Sequence, residues 1–190
     1  MRHVPWVLLG VRLALAPGVI ALALAGHPRA IAVAIVVATL TDIYDGVIAR
    51  RLGVATERLR RADSLVDTVF YLAVLVALVL LFPEVLRIHA VGLALLLGLE
   101  LVRHAVDLRR FGRTAAYHMW SAKAWGAALG LGLAALFGWG LTGWPVGVAV
   151  WLGVATNVEA LAASLVLSRW HHDVPSVAHA VRIERSSRVR

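Results

Sequence analysis

The sequence predicts an all-α membrane protein with six transmembrane helices and both termini in the cytoplasm. Of its 190 residues, 61% are hydrophobic and the mean hydropathy is +0.81, more apolar surface than one soluble core of this size could bury. The excess falls in blocks of about 20 residues, the length that crosses the hydrocarbon core of a bilayer. The chain has no cysteine, which excludes disulfides and thiolate metal ligands.

Six such blocks follow one another, at about residues 5–25, 29–50, 64–82, 86–108, 121–141 and 144–167. The first contains Arg12 and resembles a secretory signal near its end. Because five more spans follow, we expect this helix to stay in the mature protein. The second and third blocks carry pairs of aspartates at neighbouring ends, joined by a short basic segment.

The last three blocks have simpler sequence features. The fourth and the sixth each contain an isolated acid, Glu100 and Glu159, for which we expect hydrogen-bonded packing roles. The fifth carries Gly126 and Gly130, a spacing that favours close packing of helices in membranes. The loops between blocks are too short to form a second domain.

The positive charges predict the orientation. They are concentrated between helices two and three, between helices four and five, and after helix six, whereas the other side has only Arg29 and Arg87. By the positive-inside rule, the basic loops and both termini are cytoplasmic. Topology thus accounts for the net charge of +8 without nucleic-acid binding. We expect one membrane domain, residues 1–168, followed by a basic, poorly periodic cytoplasmic tail, 169–190, near anionic lipid head groups.

The aspartate pairs are the strongest functional signal. Asp42 and Asp45 are three residues apart, and Asp63 and Asp67 are four apart, so each pair lies on one face of its helix. Four carboxylates near a membrane are costly and repel one another, which predicts cations between them. Mg²⁺ or Mn²⁺ prefers such oxygens, and two ions about 4 Å apart are typical of phosphoryl transfer. The alternative is an ion pair with a nearby arginine such as Arg12.

These aspartates also belong to a longer pattern. Asp42-x-x-Asp45-Gly46-x-x-Ala49-Arg50, followed by Asp63-x-x-x-Asp67, resembles the signature of the CDP-alcohol phosphatidyltransferase family, over nearly the whole chain. The resemblance implies transfer of a phosphatidyl, or other substituted phosphate, group from a CDP-alcohol to a hydroxyl acceptor, with release of CMP. It implies Asp67 as the catalytic base and as a further metal ligand, with Asp42, Asp45 and Asp63 mainly as metal ligands. It also suggests a homodimer among membrane lipids, with the active site on the cytoplasmic side.

The nucleotide is expected to lie against small residues of the second helix. Gly46 and Ala49 leave room for it, and Arg50 is placed for a phosphate contact or a structural ion pair. The chain departs from the family pattern at Leu59, where a glycine is usual, so we expect this side chain to border and narrow the CDP pocket. The departure favours one alternative, a member that binds nucleotide without catalysis. The other alternative is a small cation transporter, but a transport path needs polar groups through the bilayer midplane.

A second basic set is a candidate for binding the acceptor. Its members lie on the fourth helix and around the loop that follows: Arg103, Arg110, Arg113 and Lys123. Arg103 and Arg110 are seven residues apart and so share a helix face. Such a cluster would suit a phosphorylated polyol. The same residues could instead contact lipid head groups as ordinary cytoplasmic positives.

Overall fold

The computed structural model describes residues 3–188 except 55, 115, 116 and 118, and leaves the side chains at 46, 50, 57, 60, 187 and 188 undescribed. The described residues form eight α-helices and no β-strand. In chain order they are α1 Val4–Leu24, α2 Pro28–Arg51, α3 Glu57–Leu81, α4 Pro83–Ile88, α5 Ala90–Phe111, α6 Trp120–Trp139, α7 Trp144–Val166 and α8 Val177–Arg188.

Five of the described helices are long and apolar enough to cross a membrane: α1, α2, α3, α6 and α7. The chain is therefore a helical multi-pass membrane protein. The predicted fourth span, 86–108, corresponds mainly to α5, which is not among the five because Glu100, Arg103 and Asp107 lie in its second half. The residues before it form the separate helix α4, which starts at Pro83. The sixth crossing and the orientation stay predictions.

The described chain forms two compact units, and the first comprises Met1–Ile88 with Leu133–Gly143. Within it, α1 packs against both α2 and α3. Its core includes Val19, Ile31, Ile35 and Phe70, each no more than 2% exposed. The Phe82 and Phe137 rings meet edge to face with centroids 5.6 Å apart, which packs the end of α6 against the end of α3.

The turn between α2 and α3 connects the helix that carries Asp42 and Asp45 to the helix that carries Asp63 and Asp67. Gly53 has φ +65°, a left-handed conformation that favours glycine, and no side chain crowds it. Thr56 then caps α3, because its hydroxyl accepts the Leu59 N–H at 3.2 Å. The chain thus ends one charged helix and begins the next within residues 52–56.

The second unit comprises His89–Gly132 with Trp144–Arg190, and in it α7 packs against α5 and α8. Glycine lets α6 approach α7 closely: a Cβ at Gly132 would lie 2.8 Å from the Pro145 carbonyl oxygen. A Cβ at Gly126 would meet nothing within 4 Å, so Gly126 makes no close contact with the described residues of this chain. Within this chain, the close approach of α6 to α7 is at Gly132.

The expectation of a poorly periodic tail is wrong for residues 177–188, which form α8. One face of α8 packs on an apolar cluster that includes Met119, Leu167, Val174 and Ala180, each no more than 1% exposed. The Ser168 N–H and hydroxyl both donate to Glu184, at 3.0 and 2.9 Å. The burial of Ala180 and the partial burial of Ile183 stabilise α8 against the rest of the unit. The polar composition of the tail did not indicate this packing. The boundary at residue 168 stays a prediction.

Candidate active site

One arginine contacts all four aspartates of the sequence pattern. Arg12 Nη1 lies 3.2 Å from Asp42 Oδ1 and 3.1 Å from Asp63 Oδ1, and it also contacts Asp67 Oδ1. The other terminal nitrogen, Nη2, contacts Asp45 Oδ2. Residues from α1, α2 and α3 therefore meet at one point. The alternative of an ion pair with Arg12 is realised, and it involves all four acids.

The four carboxylates differ in accessibility. The Asp45 side chain is 7% exposed, whereas those of Asp42, Asp63 and Asp67 are 48%, 33% and 31% exposed. Solvent or a ligand can therefore reach three of the acids, and Asp45 lies behind them with Arg12. Only the three accessible acids are open to a ligand without rearrangement of the site.

The three accessible acids fit a divalent cation. One oxygen from each of Asp42, Asp63 and Asp67 lies within 4.8 Å of the others. Four carboxylates against one guanidinium leave a formal charge of −3, so Arg12 alone does not neutralise the site. Hard cations such as Mg²⁺ and Mn²⁺ bind carboxylate oxygens of this kind. The donor set therefore suits the predicted metal, with Asp45 outside the group of three.

Arg12 is the residue of this site whose role the sequence alone did not determine. Its side chain is only 2% exposed. Among the described residues, Arg12 Nε is buried without a hydrogen-bond partner, so both terminal nitrogens hold the acids while this donor is unsatisfied. The available signal was an arginine inside an apolar span, which requires acidic partners from other helices.

The predicted nucleotide-binding residues lie on the same two helices as the acids. Ala49 on α2 and Leu59 on α3 are buried, at 5% and 7% exposure. A nucleotide could touch their side chains only if neighbouring side chains move. Gly46 and Arg50 belong to α2, but their side chains lie outside the described part of the chain. The four assignments to CDP binding stay predictions.

The predicted acceptor residues all have partners within the second unit. Arg103 donates to Asn157 Oδ1 at 3.2 Å and pairs with Glu100 at 2.5 Å. Arg110 donates to the carbonyl of Leu167, the residue after α7, at 3.0 Å. It and Arg103 therefore share a face of α5, as predicted. Arg113 lies 3.7 Å above the Trp170 ring, and Lys123 lies 4.7 Å above that of Trp120. These contacts stabilise the unit, and the acceptor role stays a prediction.

A hydrogen-bonded network continues from Arg103 through the second unit. Arg103 also lies 3.6 Å from the buried Asp107, which accepts a hydrogen bond from Ser164 at 2.6 Å. Tyr117 reaches the same serine at 3.2 Å, and burial raises the pKa of the Tyr117 hydroxyl above its ordinary value, so it stays protonated. Glu159 accepts from Ser121 at 2.5 Å, the hydrogen-bonded role expected for that acid.

Comparison with known proteins bears on what this site does. The family model described as CDP-alcohol phosphatidyltransferase matches residues 2–166, which include the four aspartates and Arg12. The comparisons with curated proteins and with solved structures gave no match.

Proposed function

We propose that this chain, which belongs to the CDP-alcohol phosphatidyltransferase family, transfers a phosphatidyl group from CDP-diacylglycerol to a hydroxyl acceptor and releases CMP in phospholipid synthesis. The family implies a CDP-alcohol donor and an alcohol acceptor. Diacylglycerol, as the lipid part of that donor, is specific to this proposal. The observation that supports the site is the convergence of Asp42, Asp63 and Asp67 within 4.8 Å.

The carboxylates of Asp42, Asp45, Asp63 and Asp67 would hold two Mg²⁺ or Mn²⁺ ions. When bound, these ions would offset the charge of the donor's pyrophosphate and of the departing CMP. The Asp45 carboxylate contacts Arg12 through Oδ2 alone among its described contacts, so we expect its other oxygen, Oδ1, to join the metal site. The accessible acids are the ones that an incoming donor meets first.

Asp67 is the proposed base. The acceptor hydroxyl attacks the phosphorus atom bonded to the lipid, its proton passes to an Asp67 oxygen, and the bond from that phosphorus to the CMP oxygen breaks. The side chain is 31% exposed, so a hydroxyl can approach it. Asp67 is also a member of the group of three, which would place the proton acceptor beside the reacting phosphate.

The cytidine and the pyrophosphate are proposed to bind along α2 and the start of α3. Gly46 and Ala49 would let the nucleotide approach the helix, Arg50 would contact a phosphate, and Leu59 would border the pocket. The lipid chains of the donor would lie in the surrounding bilayer. A homodimer of this membrane protein remains part of the proposal.

The acceptor is proposed to be anionic, for instance a phosphorylated polyol held by Arg103, Arg110, Arg113 and Lys123. Each of these side chains already has a partner within the protein. Arg110 and Arg113 are exposed, so each can also bind a phosphate of the acceptor. Positive charge at that place would favour a phosphate-bearing alcohol over a neutral one.

The test of the function is CMP release by the purified protein in vesicles that contain CDP-diacylglycerol and Mg²⁺. We expect release to require an alcohol, and a panel of neutral and phosphorylated head-group alcohols would identify the acceptor. CDP binding without CMP release would instead favour the nucleotide-binding member that Leu59 suggests. Ion flux without CMP release would favour the cation transporter.

Replacing Leu59 by glycine is expected to change the KM for the CDP donor more than the KM for the acceptor, because the leucine is proposed to narrow the nucleotide pocket. Glycine also weakens the start of α3 by about 1 kcal/mol, so the Tm is measured in parallel. Leu65→Gly, on the same helix but 66% exposed, is the matched control and should leave both KM values unchanged. If both KM values of Leu59→Gly equal those of the wild type, Leu59 does not border the nucleotide pocket.

The proposed cytoplasmic active site makes a labelling prediction. A cysteine introduced at the exposed residue Arg58 should react only with reagents that reach the cytoplasm, and one at Trp144, 77% exposed, only from the other side. The native chain has no cysteine to interfere. Labelling with the opposite sidedness would place the aspartates outside the cell.

A further inference from the structure

The arginine that joins the aspartates lies where a cation would have to bind. Arg12 Nη1 contacts one oxygen of Asp42, of Asp63 and of Asp67, at 3.2 and 3.1 Å for the first two. These are the same three residues whose carboxylate oxygens lie close enough together to hold a metal. Mg²⁺ binds carboxylate oxygen at about 2.1 Å, so an ion held by these three carboxylates would occupy the position of Nη1 and would be repelled by its positive charge.

The guanidinium is also an imperfect partner for the site. It supplies one positive charge against four carboxylates, and its Nε is a buried donor without a partner among the described residues. Buried donors left unsatisfied are costly, and the remaining negative charge favours a dication over the arginine. Asp45 is different, because its nearly buried carboxylate contacts the other terminal nitrogen and is not in the group of three.

We propose that Arg12 is a built-in counter-cation of the site, which holds the acids of α2 and α3 together in the metal-free protein and is displaced from Asp42, Asp63 and Asp67 when a divalent ion binds. Its contact with Asp45 keeps its charge paired during the exchange. Arg12 is thus a positioning residue that sets the affinity for metal. This inference rests on the metal site of the proposed function.

The first expected result concerns affinity. Arg12→Gln should raise the affinity for Mn²⁺, measured by calorimetry, by at least ~5-fold, the lower end of typical coupling between two ligands of one protein. Arg12→Lys should also raise the affinity for Mn²⁺, but less. Its ammonium group keeps the positive charge but lacks the two planar nitrogens with which arginine contacts Asp45 and the other three aspartates at the same time. If Arg12 lowered the Mn²⁺ affinity only through its positive charge, Arg12→Lys would bind Mn²⁺ with the wild-type affinity.

The second expected result concerns stability. Without metal, Arg12→Gln should lower the Tm because four carboxylates then face one another unpaired. Saturating Mn²⁺ should remove most of that difference, since the ions replace the guanidinium and ligand binding stabilises the folded state. Arg103→Gln is the control: it also removes an arginine paired with acids, Glu100 and Asp107, but in the second unit. The difference in Tm between Arg103→Gln and the wild type should be the same with and without Mn²⁺, because Mn²⁺ stabilises both proteins equally.

The outcomes distinguish this inference from the proposed function. Mn²⁺ affinity that is unchanged or lower in Arg12→Gln, or in Arg12→Lys if the glutamine variant does not fold, would overturn the inference and leave the metal site standing. Absence of Mn²⁺ binding by the wild type and by both variants would overturn the metal site and the inference together. Higher affinity in both variants, with the Tm restored by Mn²⁺, would support it.

Discussion

Replacing Asp67 by asparagine is expected to lower the turnover number at least ~100-fold, the contribution typical of a general base. Asparagine keeps the shape of the side chain but cannot accept the proton of the acceptor hydroxyl at neutral pH. Asp67 also contacts Arg12, and an amide oxygen can keep one hydrogen bond to that guanidinium. We therefore expect folding and CDP binding to be retained. CMP release measured at saturating donor and acceptor reports the effect directly.

Two further measurements on Asp67→Asn separate catalysis from binding. The Mn²⁺ affinity by calorimetry should fall far less than the turnover number, because other carboxylates still supply metal ligands. The Tm should stay near the wild-type value. Turnover within a few-fold of wild type would remove Asp67 from the mechanism. A loss of turnover matched by an equal loss of Mn²⁺ affinity would make it a ligand only.

The second large effect is expected for Asp42→Ala and Asp45→Ala, each of which removes a proposed metal ligand. We expect Mn²⁺ affinity to fall by at least ~10-fold in each, since even the loss of a group that only supports a ligand costs ~10–100-fold. High Mn²⁺ concentration should restore part of the turnover, which it should not do in Asp67→Asn. Calorimetric titration of the three variants distinguishes ligands from base.

A control is available in the same unit. Glu84 in α4 is an acid outside the aspartate group, and Glu84→Ala removes a negative charge without touching Arg12 or the carboxylates. Its Mn²⁺ affinity should equal that of the wild type. If Asp42→Ala and Asp45→Ala bind Mn²⁺ as tightly as Glu84→Ala does, the aspartates are structural partners of Arg12 and not metal ligands.

Much of the fold could be predicted from local pattern. The spans predicted at 5–25 and 144–167 correspond to Val4–Leu24 and Trp144–Val166, because a predominantly apolar block of that length is stable in a bilayer as a helix. The spacing within each aspartate pair likewise indicated one helix face, and the structure places all four acids around Arg12.

What could not be predicted depends on contacts between distant residues. The partners of Arg12 lie 30 to 55 positions away, and no local spacing encodes which arginine meets which acid. Helix α8 was missed because its few apolar residues become informative only beside the cluster around Met119 and Leu167. The predicted span 86–108 joined the last three residues of α4 to α5, because neither proline nor glycine marks the break at His89 between the two helices.

The central claim is that this site moves the phosphate bonded to the lipid, and one labelling measurement tests it most directly. CDP-diacylglycerol is prepared with ³²P in the phosphate next to diacylglycerol and supplied in vesicles with Mg²⁺ and the alcohol that supports release. The account predicts that all of the label appears in the new phospholipid and that the CMP is unlabelled. Label released with the nucleotide, or no release with any alcohol, would contradict the account.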